Sequence, residues 1–147
     1  MCKRFFQNQS HGKVLIYLLL VILAAFLISI VLMLTREDPE EIFRKNSNIR
    51  VEVLNGCGVN RLAVRVTNFL RKQGFNVVRI GDTDIQDYER TAVIERGNED
   101  MSHARYVAQR IGCAYVGKDV DPALYLDVTI IIGNDYEEIF PEIKNEF

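Results

Sequence analysis

Residues 14–34, VLIYLLLVILAAFLISIVLML, hold no charged side chain over 21 positions, and no other stretch restricts what this chain can fold into as strongly. A helix of that length, rising about 1.5 Å per residue, spans the roughly 30 Å hydrocarbon core of a bilayer. The run has no polar stripe, whereas a helix lying on a soluble core keeps one face for water. We therefore read it as a single membrane-crossing helix. The apolar run exceeds the usual core of a signal peptide. It is followed by Thr35-Arg36-Glu37-Asp38 rather than by a small-x-small cleavage site, so a retained anchor is expected. Cys2 has no lipobox before it, and lipoprotein processing is not indicated.

Charge sets the orientation. Lys3, Arg4 and Lys13 precede the span with no acid, and 15 bases and all 20 acids follow it, leaving the following part at −5. By the positive-inside rule the amino terminus, residues 1–13, is cytoplasmic and the bulk of the chain is extracytoplasmic. An acidic outer part lacks the basic surface that phosphate contacts require, so nucleic acid is not an expected partner. Residues 35–48, TREDPEEIFRKNSN, are charged, contain Pro39 and read as a linker. Residues 49–136 form one small domain, and residues 137–147 read as a tail.

Inside that domain the hydrophobic period alternates between two and 3.6. Val51 and Val53 alternate with Arg50 and Glu52, marking a first strand. Leu62, Val66, Phe69 and Leu70 make a helical stripe, closed by Gly74 where a left-handed helix end is favourable. A second strand, residues 75–80, follows. A polar turn then leads to a third strand at residues 91–95, and Asn98 to Asp100 offer caps for a second helix with Met101, Ala104, Val107, Ala108 and Ile111 on one side. A short strand near residues 113–116 and a strong one at residues 127–132 complete the pattern. The order β-α-β-β-α-β implies an α+β two-layer sandwich, with both helices on one face of a mixed sheet; a short parallel Rossmann-like sheet is the alternative.

The stretch VEVLNGCGVNRLA raises the question of a phosphate site. A dinucleotide fingerprint needs a third glycine where Arg61 stands, and a Walker loop needs a Gly-Lys-Ser/Thr that is missing. Two readings remain. In one, Gly56 and Gly58 permit a tight turn and Asn60 caps the helix. In the other, Asn55, Gly56, Gly58 and Asn60 with the bases Arg61, Arg65 and Lys72 bind an anionic or glycan ligand at the helix amino end.

The pieces VEVLNGCGVNRLAVRVTNFLRKQGFNVV, Tyr88 with TAVIERG, the helix ending RIG, and DVTIIIGNDY occur in that order, and together they resemble the LytR C-terminal domain family. The resemblance implies an extracytoplasmic, envelope-associated domain of bacteria. Such a domain often stands behind a catalytic LytR-CpsA-Psr module that transfers glycopolymers to peptidoglycan, and it also occurs alone behind one membrane helix, as this chain looks. It implies an accessory, scaffold or binding role. Because the chain has no metal cluster, no paired acid/base motif and no second domain to supply a catalytic pocket, an enzyme and a cofactor are not expected. A peptidoglycan or anionic-polymer binding module, or an envelope phosphotransferase-type enzyme, is the alternative. A LytR-CpsA-Psr-type envelope enzyme or a cell-wall polymer is the expected partner, and the cytoplasmic membrane the location. The family supplies no catalytic residues to carry over.

Asp82, Asp84 and Asp87 lack the glycine and closing glutamate of a calcium loop, and His11 and His103 stand apart, so no metal site is expected. Cys57 and Cys113 are the two extracytoplasmic cysteines, in a compartment that permits disulfides. The split topology would bring both to one edge of the sheet, and their pairing is left open by the sequence.

Overall fold

The computed structural model describes residues 8–34 and 38–145. The chain divides into two compact units, Met1–Asp38 and Pro39–Phe147. The expected tail residues 1–7, with Lys3 and Arg4, linker residues 35–37 and residues 146–147 lie outside the described residues. In the first unit, helix α1 (Asn8–Leu34) carries the apolar run, and it is long and apolar enough to cross a membrane.

The second unit is built on five strands: β1 (Arg50–Asn55), β2 (Asn76–Asp82), β3 (Ala92–Glu95), β4 (Tyr115–Lys118) and β5 (Val128–Ile132). Their order is β2-β1-β5-β3-β4; β1 is parallel to β2 and β5, β3 is parallel to β4, and β3 is antiparallel to β5. The sheet is therefore mixed, as expected, and the all-parallel alternative is corrected. The reason lies in the connection at residues 83–91. It begins and ends at the same edge of the sheet with no helix to carry the chain back, so β3 must run against β2.

Helices α3 (Leu62–Lys72) and α4 (Ser102–Ile111) fill the β1–β2 and β3–β4 crossovers. Leu62, Val66 and Leu70 of α3 and Ala104 and Val107 of α4 share one buried cluster with Val51, Val53, Val93, Val128, Ile130 and Ile132. These strand residues are register partners on a single face, so both helices pack on that face. On the opposite face Glu52 accepts hydrogen bonds from Thr129 Oγ1 at 2.9 Å and Arg79 Nη1 at 3.2 Å. Arg96 Nε donates to the same threonine at 3.1 Å. The polar position in the β1 alternation is thus buried as well, because it is paired.

Two segments flanking residues 49–136 fold within the same compact unit. The charged linker contains helix α2 (Pro39–Ser47), with Glu40 and Glu41 in its first turn and Arg44 and Lys45 in its last, a distribution that suits the helix dipole. Asn46 is 1% exposed. Its Nδ2 donates to Gln73 O at 2.7 Å, and its Oδ1 accepts from the Tyr106 hydroxyl at 2.8 Å. After β5 the chain forms the short helix α5 (Tyr136–Ile139) and a 3-10 turn (Pro141–Asn145). Phe140 and Ile143 are buried there, Phe140 edge-to-face on Phe69 with ring centroids 5.6 Å apart.

Candidate binding site

At the carboxyl end of β1 the chain must leave the sheet, let another segment cross, and start α3 within six residues. Gly56 makes the crossing possible. Its N–H donates to Ile132 O at 2.9 Å, and its carbonyl accepts from Tyr88 N at 2.9 Å. A Cβ there would lie 2.8 Å from Ile132 O and 2.9 Å from Tyr88 Cδ2, so only glycine fits. Tyr88 O in turn accepts from Asn134 N at 2.9 Å. The connection between β2 and β3 is therefore stitched over the ends of β1 and β5, and Gly56 is the joint that holds it.

The loop then turns at Gly58, in the left-handed region at φ 73°, and again at Arg61, at φ 58°. Arg61 occupies the N-cap position of α3 with no side-chain cap bond, which corrects the assignment of that role to Asn60. The turn is held from below by Asn55, which is 5% exposed. Its Nδ2 donates to Val59 O and to Asp82 Oδ1, each at 3.1 Å, and its Oδ1 accepts from Cys57 N at 3.4 Å. The second helix repeats the device with a different residue. Met101 is left-handed at φ 57°, and the buried Glu95, ending β3 as Asn55 ends β1, accepts from Ala104 N at 2.7 Å and Asn98 N at 3.1 Å. His103 lies half-buried, 3.4 Å from Glu95.

Between this loop, the start of α3 and the end of β2 lies a cavity of about 520 Å³. Asn55, Gly58, Asn60 and Arg61, four residues of the loop reading, line it. Gly56, and Arg65 and Lys72 further along α3, do not line it. Sequence reasoning missed Asp82 and Gln86, which supply the facing wall, and Ile80, Gly81 and residues 62–64, which supply the rest. A signal for Asp82 was present: in parallel strands the carboxyl ends lie together, and ligands gather outside them. It required knowing that β1 and β2 are parallel. Asp82 is thus a bonded wall residue; among the described residues no three His, Cys, Asp or Glu side chains form a metal-binding group.

Both cysteines are free thiols, so the disulfide left open by the sequence is not formed. Cys57 Sγ points to Asn55 Oδ1 at 3.6 Å. Cys113 is buried, donates to Thr91 O at 3.2 Å, and has its pKa pushed up to about 11 by burial and then by the charge of Asp135. A second cavity of about 470 Å³ lies near Arg90, Tyr115 and Asp135. There Asp135 is committed to Thr91, accepting from its N–H and its hydroxyl at 2.7 Å each.

Residues 48–136 match the sequence profile of LytR_C, described as LytR cell envelope-related transcriptional attenuator. No curated protein and no solved structure matches the chain.

Proposed function

The chain belongs to the LytR_C family, whose domains are cell-envelope related, and from that premise we propose that it is a membrane-anchored accessory protein of envelope assembly or maintenance. Its folded unit acts on the extracytoplasmic side, binding an envelope component at the carboxyl edge of β1 and β2 and carrying out no chemistry of its own. The observation that carries this reading is the cavity between the glycine loop, the start of α3 and the end of β2: a polar, partly apolar recess with the buried Asn55 fixed in its wall. Fixed polar groups beside exposed apolar ones are what a small recognition site requires. The orientation follows the bases ahead of α1, and the tether follows its length and apolarity.

The experiment is photocrosslinking in intact cells, with a photoreactive residue at Asn60 on the cavity rim and a control at Gln109 on α4. Capture of glycan or glycan-linked lipid at position 60 alone is the expected result. Capture of one and the same membrane enzyme from both positions, or of nothing from either, would remove the cavity from the function and leave a protein scaffold acting through another face.

A further inference from the structure

We propose that this cavity takes the hydroxyl groups of an uncharged sugar unit, rather than the phosphate or carboxylate suggested by its position beside a helix amino end. The inference rests on the binding reading above and names the ligand chemistry of the same site.

A carboxylate is built into the wall. Asp82 is held there by Asn55 Nδ2 at 3.1 Å. Asn55 is itself buried and committed to Val59 and Cys57, so the donor that holds the exposed Asp82 carboxylate at the cavity wall is fixed in place. An anionic group entering the cavity meets that fixed negative charge at short range. Arg61 lines the same space, and the charges of Asp82 and Arg61 balance, so the lining as a whole matches a neutral guest.

The remaining polar groups are amides. Asn60 and Gln86 each carry a donor and an acceptor, and Asp82 is an acceptor only. A group that donates to the carboxylate while accepting from an amide or a guanidinium must be donor and acceptor at once, and a hydroxyl is that group. Adjacent hydroxyls on one ring can use both sides of the recess together. Beside these groups Val64 is 42% exposed and Ile80 41% exposed, and both line the cavity. They offer an apolar surface to the C–H face of a sugar ring, which a free phosphate would leave unused. The volume of about 520 Å³ falls within the range of small-ligand sites.

The sign of one substitution separates the two chemistries. The full chain, in lipid nanodiscs, is titrated with an uncharged N-acetylglucosamine tetramer and, separately, with inorganic polyphosphate. The wild type is expected to bind the tetramer, with little change between about 50 and 500 mM salt. Asp82→Asn is expected to bind it about tenfold more weakly through loss of a charge-assisted hydrogen bond. Gln86→Ala, an exposed position outside the Asn55 bonds, tests the cavity without disturbing the loop and is expected to weaken binding several-fold. Wild-type binding of polyphosphate tighter than of the tetramer, or tetramer affinity unchanged in both variants, overturns the proposal; tighter polyphosphate binding by Asp82→Asn than by the wild type is expected, because the repelling charge is gone. Retention on isolated cell wall without tetramer binding overturns it while leaving the binding reading intact; loss of both removes the reading as well. Presenting the same oligosaccharide on a polyprenyl anchor names the source. Equal affinity points to mature glycan and tighter affinity to a lipid-linked precursor, and either supports the sugar chemistry.

Discussion

At the scale of single residues, the same residue type does different work according to what surrounds it. Gly56 is required because a Cβ there would run into two other chain segments, and Gly58 because the backbone turns left-handed. Both looked alike in the sequence, where spacing suggested a phosphate loop. The two cysteines differ in a similar way. Cys113 is buried against Thr91 O with its pKa raised to about 11, whereas Cys57 sits half-exposed in the loop. We expect a maleimide at neutral pH to label Cys57 in the folded protein and to reach Cys113 only after denaturation, since the thiolate is the nucleophile. Mass spectrometry of tryptic peptides reads this directly; labelling of both at equal rates in the native state would contradict the burial. The loop residues were legible because glycine and asparagine mark turns. Asp82 was not, because its role depends on a neighbour 27 positions away.

Among elements, helix α2 departs most from the sequence reading. Its composition is that of a solvated linker, and eight of its nine residues are not buried. One side chain changes its status. Asn46 joins Gln73 O on α3's last turn to the Tyr106 hydroxyl on α4, and so ties three helices at one point. Periodicity could not reveal this, since a single buried polar residue leaves no stripe. Replacing Asn46 by alanine takes the side-chain donor from Gln73 O and the acceptor from the Tyr106 hydroxyl, which keeps only Arg110 Nε at 3.3 Å, a cost of about 1–3 kcal/mol. We expect a lower denaturation midpoint and faster proteolysis near residues 39–47, measured by urea titration of the full chain in detergent and by limited trypsin digestion. An unchanged midpoint and digestion pattern would mean that α2 is not docked. Helices α3 and α4, in contrast, were legible nearly to their ends, because their stripes at spacings of three and four are what the sheet buries. Their caps were not. Arg61 and Met101 take left-handed conformations, and Glu95, read only as a strand residue, supplies the second helix's cap from outside it.

For the whole molecule, stability depends on joining segments far apart in the chain. Arg50 at the start of β1 clasps Asp127 at the start of β5, 77 positions on, through its own N–H at 2.8 Å and two guanidinium bonds at 2.9 and 3.1 Å. Desolvation works to raise the Asp127 pKa, but the hydrogen bonds and charge of Arg50 together outweigh it and hold it below the usual carboxylate value. A lowered folded-state pKa gives stability that is present above the unfolded value of about 3.9 and is lost as pH falls through the folded one. Asp127→Asn should therefore lower the thermal midpoint of the full chain clearly at pH 7, and the gap to wild type should close in acid, below about pH 4. Circular dichroism melts at both pH values check this; an equal gap at both would assign the loss to packing instead of charge. The sequence by itself determined the apolar span, the charge asymmetry about it, the two amphipathic helices and the strands between them, because each is written in local composition and period. Only the tertiary structure decided that β3 runs antiparallel, that residues 39–47 and 140–143 join the core, and that Asp82 faces the glycine loop. Each of these depends on which distant segments become neighbours, and no local period records that.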